Sequence, residues 1–294
     1  MAPTGLDIET VIDFLADLPA YEDEKPYYLH ASDLAGERLD EVKITNVEWD
    51  KRPVTVHSMR DEAGIGLEES GFSYIQHESK HIPHAGIMTP ERAADYRAEC
   101  EDLLRSVFKA EFAHCYDFKL RKNTPMALEK FDPKDPCLVE EAAVGAHGKL
   151  DVTVDTVPRL IKPLLDEQQL RTFFQPGYRF RLINIWRSIL PECQDRPLAV
   201  CDYASIDPSD LVATDRVYPG KLQEIYHLKY NSQQRWYWLP NQRSDEPFLF
   251  LTYDSKSGSN ARYCPHVSIN NPLAPSDAPP RESVETRNLV ITKL

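Results

Sequence analysis

The 294-residue sequence is poor in glycine, in basic charge and in long apolar runs, and its six cysteines are widely scattered. No stretch approaches the roughly 20 apolar residues that a membrane-spanning helix requires. The acidic first segment lacks the basic region with which a secretory signal begins. The cysteines form no C-x-x-C pair, which is typical of reduced thiols in the cytosol. We therefore expect a cytoplasmic protein that neither spans nor binds a membrane.

Basic charge is in deficit: 34 Lys and Arg stand against 47 Asp and Glu, a formal net charge of −13. Binding to a phosphate backbone or an anionic lipid surface needs the opposite sign, so nucleic acid is excluded as a general partner. With 41% hydrophobic and 28% charged residues, the composition is that of a globular protein. The 23 prolines against 11 glycines indicate short elements joined by stiff connections.

The first half of the chain mixes helix and strand signals. A short helix is predicted over Thr10–Leu18, and alternating runs over 52–61 and 71–79 predict two strands. Thr89, followed by proline and glutamate, is a typical helix start. One apolar face follows it, formed by Tyr96, Cys100, Leu103, Leu104 and Val107. A further helix is predicted through Leu160, Leu164 and Leu165, interrupted by Pro163.

From Tyr178 onward the sequence reads as strands separated by turn residues. Such short, regularly spaced strands are typical of a sandwich or barrel. We predict a mostly β fold with a helical layer, in a single domain over residues 1–294. Its parts would be an N-terminal extension (1–50), α/β support elements (52–150) and a β core (151–294). The seven runs are YRFRLINIW, PLAVCDY, EIYHLKYN, QRWYWLP, PFLFLTYD, RYCPHVSI and NLVITKL.

Three histidines, His77, His81 and His84, recur at steps of four and three, a spacing that would bring metal ligands together on a helix. Pro83 interrupts such a helix, and no carboxylate stands at a useful spacing. We favour the alternative, in which they are surface loop residues.

The strands near position 230 are rich in aromatic residues, among them Tyr226, Trp236 and Trp238. Trp236 and Trp238 fall on one face of a strand. Aromatic side chains on such a face either fill the core or line a pocket for an organic ligand. Both alternatives stay open, and we treat these three residues as candidate substrate-binding residues.

Arg281 and Ser283 follow His266 by fifteen and seventeen residues. A guanidinium group can bind a small carboxylate through two parallel hydrogen bonds, and a neighbouring hydroxyl adds another. Taken alone, this R-x-S pattern equally fits a surface arginine beside a turn.

Several segments, in one order along the chain, resemble a family of fungal and bacterial secondary-metabolism proteins. This family includes the gibberellin desaturase, the AsaB-type hydroxylase/desaturases and the CmcJ-like cephalosporin methoxylation protein. The resemblance implies the fold of the Fe(II)/2-oxoglutarate oxygenases, a double-stranded β-helix (jelly roll, cupin-like), which agrees with the run of short strands. The segments are GFSYIQHES, NIWRSI with RPLAVCD, IYHLKYNSQQRWYW, FLTYDS, PHVSINNP and PPRESVETR.

The resemblance also implies an iron site of two histidines and one carboxylate, written H-x-D and then a distal histidine. The matching stretch is VTVD, residues 152–155. Asp155 and His266 match the carboxylate and the distal histidine, whereas Thr153 replaces the first histidine. A threonine hydroxyl is a poor ligand for Fe(II). His147, six residues before Thr153, is an alternative source of the missing imidazole.

These departures favour a natural-product biosynthetic enzyme that uses neither metal nor another cofactor. It would catalyse a redox-neutral step, such as a cyclisation, pericyclic closure, isomerisation or elimination, on a small-molecule intermediate. Asp155 would act as general base and His266 as acid or hydrogen-bond donor. Arg281 would hold a carboxylate or enolate, and Thr153 and Ser283 would contact the substrate.

Two alternatives remain. One is an active Fe(II)/2-oxoglutarate-dependent hydroxylase/desaturase with iron on Asp155, His266 and one further ligand. The other is a non-catalytic ligand-binding protein. The sequence does not identify the substrate, and it leaves a monomer and a homodimer both open.

Overall fold

The computed structural model describes residues 6–29, 43–60, 62–84, 88–124, 137–141, 145–148, 160–218 and 221–294. Most of the strands belong to two large β-sheets. The strands are β1 Ile8–Leu15, β2 Tyr27–Leu29, β3 Trp49–Ser58, β4 Phe72–Tyr74, β5 Phe112–Lys122, β6 Val139–Glu141, β7 His147–Gly148, β8 Tyr178–Ser188, β9 Glu192–Cys193, β10 Leu198–Cys201, β11 Leu211–Tyr218, β12 Lys221–Leu228, β13 Trp236–Trp238, β14 Gln242–Arg243, β15 Phe248–Asp254, β16 His266–Ser268 and β17 Glu282–Lys293.

The helices form a minor layer: α1 Ala20–Asp23, α2 Pro90–Phe108 and α3 Glu167–Phe173, with 3-10 turns at Lys162–Leu164, Tyr203–Ser205 and Pro208–Asp210. The predicted α2 is confirmed, because the Thr89 hydroxyl accepts from the backbone N–H of Arg92 as its N-cap. Tyr96, Cys100 and Leu104 are buried on its inner face. Val107, predicted on the same face, is 43% exposed because the helix ends one residue later. In the described residues, no helix is long and apolar enough to cross a membrane.

One helix prediction needs correction. The predicted helix at Thr10–Leu18 is the strand β1, in which Ile8, Ile12 and Phe14 alternate with more exposed residues. Its period of two is that of a half-buried strand. The predicted helix through Leu160, Leu164 and Leu165 is α-helical at residues 160–161 and continues as the 3-10 turn Lys162–Leu164, in which Pro163 lacks a backbone N–H. Helix α3 begins after it, with its N-cap Asp166 in a capping box.

The nine-stranded sheet has the order β1-β3-β13-β10-β16-β7-β12-β11-β2, and the six-stranded sheet has the order β4-β15-β8-β17-β5-β6. The larger sheet curls back on itself: Ala146 N donates to Asp13 O at 2.7 Å, and Leu15 bridges to Lys229. The segment predicted as an N-terminal extension therefore contributes β1 to this sheet. All seven strand-like runs from Tyr178 onward are confirmed as strands.

The two faces of the larger sheet border different cores. Trp236, Trp238 and Val267 pack with Ile12 and Phe14 inside the curled sheet. Tyr237, Leu198 and Val200 point the other way and pack with Phe248 and Phe250 of the six-stranded sheet. Helix α2 covers the opposite face of that second sheet, where Tyr96, Cys100 and Leu104 pack with Ile183 and Val290. We call the space between the two sheets the interior.

Candidate functional site

Strands β16 and β17 carry polar side chains into the interior between the sheets. His266 is opposite Val200 in the ladder and touches the ring of Phe250, with ring centroids 4.6 Å apart. Ser268 shares the face of His266, two residues further along β16. Across from them, β17 alternates polar residues with residues that face α2. The interior ones are Ser283, Glu285 and Arg287, and Arg281 immediately precedes the strand.

His266 is 4% exposed, and its Nδ1 lies 3.0 Å from the carbonyl oxygen of Cys264. That contact makes Nδ1 the protonated nitrogen and directs Nε2 away from the backbone. Burial lowers the pKa of His266 below its ordinary value, although the nearby carboxyl of Glu285 opposes the shift. The imidazole is thereby held in its neutral form.

Glu285 is a buried carboxyl group facing His266. The side-chain amide of Asn184 donates to its Oε1 at 2.9 Å, and Nε of Arg287 lies 3.4 Å from the same atom. Burial raises the pKa of Glu285, with the charges of His266 and Arg121 opposing the rise. Desolvation therefore makes ionisation of this carboxyl less favourable than in water.

Arg281 is a buried guanidinium group, 2% exposed. Its Nη1 donates to the carbonyl oxygen of Arg196 at 3.1 Å and to Ser268 Oγ at 3.0 Å. It lies over the ring of Trp186, with Cζ 5.9 Å from the centroid. Burial lowers the pKa of Arg281 to about 10. Among the described residues, no carboxylate forms an ion pair with this side chain, and its hydrogen bonds go to neutral oxygens. The acid that acts on the guanidinium through space is Asp195, whose carboxylate accepts from the backbone N–H of Arg281 at 3.0 Å.

Three buried polar atoms in this region have no hydrogen-bond partner among the described residues: Arg281 Nε, Ser283 Oγ and Asn184 Oδ1. Unpaired polar atoms in a protein interior cost free energy and call for a partner such as a ligand or water. Arg281 and Ser283 offer donors suited to a carboxylate, whereas Asn184 offers an acceptor. The arrangement fits a ligand with an anionic group at the Arg281 end.

Charges from β5 and β6 border the same interior. Lys119 and Arg121 pair with Glu140, with Nζ–Oε1 2.6 Å and Nη1–Oε2 3.2 Å. Arg287 pairs with Asp117 at 2.5 Å. With Arg281 and Glu285 added, the groups named in this interior are four basic and three acidic ones, and the pKa of one of the acids, Glu285, is raised. The interior is therefore positive in balance, in contrast to the chain as a whole.

The structure brings His266, Arg281 and Ser283 together, as predicted from the sequence, but places the predicted aromatic residues elsewhere. Trp236 and Trp238 are 1% and 2% exposed and lie in the core on the other face of their sheet. Trp238 Nε1 donates to the carbonyl oxygen of Leu6 at 3.1 Å. Adjacent strand residues point to opposite faces, so the partly exposed Tyr226 faces away from its buried neighbour His227. Their assignment as substrate-binding residues stays a prediction.

The three histidines of the HESKHIPH segment do not converge. The guanidinium of Arg187 lies 2.8 Å from His77 Nδ1, and burial lowers the pKa of this histidine. His81 lies 3.9 Å from Asp95, and His84 is exposed. Within the described residues, no group of three or more histidine, cysteine or acidic side chains is arranged to hold a metal ion.

Thr153 and Asp155 lie outside the described residues. The strand β7, in contrast, places the backbone of His147 directly opposite His266 on one side and His227 on the other. His147 is followed two positions later by Lys149, where an H-x-D pattern requires a carboxylate. The pattern is therefore incomplete whether it is matched at 147–149 or at 153–155.

The described residues fit the two groups that an oxygenase requires, iron and 2-oxoglutarate, unequally. The unpartnered donors of Arg281 and Ser283 fit a carboxylate of 2-oxoglutarate. The described residues do not provide a complete set of iron ligands. They provide His266, and the backbone of β7 places His147 opposite it. A facial triad needs a carboxylate as well.

Sequence reasoning missed Glu285 and Asn184. The signal for Glu285 was present: Arg281, Ser283, Glu285 and Arg287 alternate in the segment RESVETR, and a period of two puts them on one face of a strand. Asn184 gave no such signal, because it stands in the apolar run RLINIW and only the register of β8 with β17 places it opposite Arg287.

Comparisons with known proteins agree with this geometry. A family model described as "Oxidoreductase/YMDC permease-like domain" matches residues 12–291. The Fe(II)/2-oxoglutarate-dependent dioxygenase nvfI of Aspergillus novofumigatus is 29% identical over 251 residues, 83% of this chain and 85% of the relative. The hydroxylase/desaturase efuI of Hormonema carpetanum is 27% identical over 264 residues, 85% of this chain and 86% of the relative.

Among solved structures, a variant of the iron and alpha-ketoglutarate-dependent endoperoxidase NvfI superposes with a TM-score of 0.82 at 26% identity, covering 100% of both chains. This likeness confirms the predicted oxygenase-type β fold. The chain belongs to the Oxidoreductase/YMDC permease-like family, and its homologues are fungal hydroxylase/desaturases and Fe(II)/2-oxoglutarate-dependent dioxygenases of secondary metabolism.

Proposed function

We propose that the chain is a biosynthetic enzyme of fungal secondary metabolism that catalyses a redox-neutral step on a carboxylate-bearing intermediate. Cyclisation, pericyclic closure, isomerisation and elimination all belong to this class. The observation that carries the proposal is the buried pair of His266 and Glu285, in the same interior as the guanidinium of Arg281.

The pair supplies both halves of general acid–base catalysis. A neutral imidazole accepts a proton, and a carboxyl group with a raised pKa donates one. Groups whose pKa values are moved apart by burial are typical acid and base partners in active sites. The contact of Nδ1 with the carbonyl oxygen of Cys264 leaves His266 Nε2 as the atom that takes the proton. Asn184 and Arg287 hold the carboxyl of Glu285 in place.

Arg281 and Ser283 would bind the carboxylate of the substrate through their unpartnered donors. Because the guanidinium is buried and has no described acidic partner, its field stabilises negative charge that develops on the substrate. Asn184 Oδ1 would accept a hydrogen bond from a donor on the same molecule. Asp155, proposed from the sequence as the base, lies outside the described residues and remains a candidate.

The incomplete H-x-D pattern supports independence from iron. At 153–155 the first histidine is Thr153, and at 147–149 the carboxylate is Lys149. An ammonium group cannot serve as an iron ligand and repels a metal cation. With either alignment of the pattern, one of the three iron ligands would have to come from another part of the chain.

A second candidate function is an active Fe(II)/2-oxoglutarate-dependent oxygenase. Two observations favour it: the ladder position of His147 opposite His266, and the fit of Arg281 with Ser283 to the carboxylate of an oxo-acid. In that case His147 and His266 would hold the iron with an aspartate further along the chain. Bound iron and 2-oxoglutarate would supply the oxidising chemistry, and the enzyme would be a hydroxylase or desaturase.

Iron stoichiometry and succinate release from 2-oxoglutarate separate the two candidates. The purified chain is reconstituted anaerobically with Fe(II), desalted and analysed for metal, and then exposed to oxygen and 2-oxoglutarate. We expect substoichiometric iron and no succinate above the protein-free control. Stoichiometric iron together with succinate release would overturn the redox-neutral proposal.

Two matched variants identify the register of the lost triad. Lys149→Asp restores H-x-D after His147, and Thr153→His restores it before Asp155. We expect one of the two to gain iron and the other to behave like the natural chain. If both gain nothing although their melting temperatures are unchanged, the loss of iron does not lie in this pattern and the argument from it fails.

A further inference from the structure

The connection between β9 and β10, residues 194–197, contacts both the backbone and the side chain of Arg281. Asp195 Oδ2 accepts from the backbone N–H of Arg281 at 3.0 Å, and the carbonyl oxygen of Arg196 accepts from its Nη1 at 3.1 Å. This short connection therefore holds the arginine that the proposed function assigns to the substrate carboxylate.

The backbone of Arg281 is anchored through Asp195 and Asn123. Asn123 Nδ2 donates to the same Asp195 Oδ2 at 2.6 Å, and the backbone N–H of Asn123 donates to the carbonyl oxygen of Arg281 at 2.9 Å. Hydrogen bonds to a carboxylate are shorter and stronger than those between neutral groups. Arg281 and Asn123 stand just beyond Glu282 and Lys122, the last pair of the β17–β5 ladder. Asp195 thus fixes the arginine at the point where the ladder ends.

The backbone of Arg196 has a left-handed conformation, with φ of 46°. A residue other than glycine is uncommon in this region, costs free energy there and persists only where its surroundings require it. The Arg196 side chain is exposed, whereas its carbonyl oxygen accepts from Arg281 Nη1 and, at 3.3 Å, from Ser268 Oγ. The strained residue therefore supplies a backbone oxygen to two side chains of the interior.

These contacts select one edge of the Arg281 guanidinium. Nη1 has two N–H groups, and they are used by Arg196 O and, at 3.0 Å, by Ser268 Oγ. Nε has no hydrogen-bond partner among the described residues. In the planar guanidinium, Nε and Nη2 present parallel N–H groups along one edge, which matches the two oxygens of a carboxylate. Occupation of Nη1 leaves this edge for a ligand.

We propose that the 194–197 connection is a positioning element that presents the Nε–Nη2 edge of Arg281 to the carboxylate of the substrate. Asp195 fixes the backbone of the arginine, and the carbonyl oxygen of Arg196 fixes Nη1. Neither residue contacts the substrate. The inference rests on the proposed function, because it concerns the same arginine and the same carboxylate.

The first test is a double-mutant cycle of Asp195→Ala and Arg281→Lys in the full chain, titrated calorimetrically with 2-oxoglutarate. We expect Asp195→Ala to raise the Kd about fivefold or more in the natural background and less than about twofold in the Arg281→Lys background. Removal of a negative charge by itself would lower the Kd of an anion, so a rise reports lost positioning. Asp195→Asn removes the charge but keeps an acceptor oxygen, and its Kd should lie well below that of Asp195→Ala.

The second test changes the conformation of residue 196. Glycine adopts a left-handed backbone without steric cost, whereas a β-branched residue does so poorly. The Kd for 2-oxoglutarate should therefore be about fivefold or more higher in Arg196→Val than in Arg196→Gly. Lys109→Val is the matched control, because Lys109 is exposed and left-handed, with φ of 49°, at the C-cap of α2. It should lose stability and keep the Kd of the natural chain.

The outcomes separate this proposal from the function on which it rests. An unchanged Kd in folded Arg281→Lys rejects the carboxylate site and the positioning element together. If Arg281→Lys weakens binding but Asp195→Ala does not, or does so by the same factor in both backgrounds, only the positioning element is rejected. Equal Kd values in Arg196→Val and Arg196→Gly also overturn it. Melting temperatures verify folding, and if Asp195→Ala does not fold, the two Arg196 variants give the answer.

Discussion

The carboxyl group of Glu285 and the imidazole of His266 lie close enough in the interior for each to influence the pKa of the other, and they are 8% and 4% exposed. Burial moves their pKa values in opposite directions, that of Glu285 upward and that of His266 downward. A protonated His266 and an ionised Glu285 would attract each other, but the cost of removing both charges from water outweighs this attraction. Burial therefore disfavours the charged form of both groups.

The first prediction concerns the cost of ionising Glu285. A carboxyl with a raised folded-state pKa binds its proton more tightly in the folded than in the unfolded chain, so stability falls as pH rises through and above 4.5. Glu285→Gln removes this titration and nearly preserves shape. We expect the variant to gain stability relative to the natural chain between pH 4.5 and 8, as measured by urea unfolding.

The control is Glu167→Gln, because the Glu167 side chain is 89% exposed. Its difference from the natural chain should stay flat over the same pH range. A flat difference for Glu285→Gln as well would show that Glu285 ionises freely and would remove it as the acid of the proposed reaction.

The second prediction concerns His227, on the strand that flanks β7. Its Nδ1 lies 2.9 Å from Thr214 Oγ1, its ring packs edge-on against Trp49, and burial lowers its pKa to about 3. On acidification through pH 6.5, His227 binds a proton in the unfolded chain but stays unprotonated in the folded chain. Stability should therefore fall by up to about 1.4 kcal/mol for each pH unit from 6.5 towards 3.

His227→Gln should flatten this part of the stability curve, whereas His84→Gln, at an exposed position, should leave it unchanged. The two curves are compared by urea unfolding at a series of pH values between 6.5 and 4. If the natural chain and His227→Gln lose stability in parallel on acidification, His227 is not the group responsible.

Much of the strand pattern could be predicted from the sequence, because buried strands in this chain are short, apolar and bounded by turn residues. β1 was missed since the spacing of Ile8, Val11, Ile12 and Leu15 also fits a helical face. Only the pairing of β1 with β3, which are far apart in sequence, settles the choice. Local spacing carries no information about such a partner.

In the candidate site, too, some residues can be predicted from local sequence and others only from strand pairing. Arg281, Ser283 and His266 follow from a local pattern and a family resemblance, whereas Asn184 enters through the register of β8 with β17. The two indoles of β13 show the same limit of local patterns. Their common face was predicted correctly, but which face of a strand meets which core depends on the curl of the whole sheet.

The third prediction follows from that location. Trp238 is 2% exposed and packs within the core of the curled sheet. Trp238→Ala should lower the free energy of unfolding by about 3–5 kcal/mol, because truncation of a buried aromatic leaves a cavity. A thermal melt and a urea titration measure the loss. A nearly unchanged stability together with impaired substrate binding would instead support the original prediction that this residue lines the substrate pocket.

The last prediction concerns the charge at the other end of the interior site. Arg281→Lys keeps a positive charge but loses the planar fork that can bind a carboxylate through two hydrogen bonds. A lysine is also more strongly hydrated and therefore more costly to bury at this position. If Arg281 and Ser283 form a carboxylate site, the Kd of a carboxylate probe such as 2-oxoglutarate should rise about tenfold or more, which corresponds to about 1.4 kcal/mol.

Ser283→Ala should have a smaller effect of the same sign, since it removes one neutral hydrogen bond rather than a charge-assisted pair. Arg243→Lys is the matched control, because the Arg243 side chain is 54% exposed and pairs with Asp245. Calorimetry gives the Kd, and a thermal melt verifies that each variant is folded. A Kd within about twofold of the natural value in folded Arg281→Lys would assign the guanidinium to its bonds with Arg196 and Ser268 alone. That result would reject Arg281 and Ser283 as a carboxylate-binding site. The role of the His266–Glu285 pair would still be tested separately, by the pH dependence of stability.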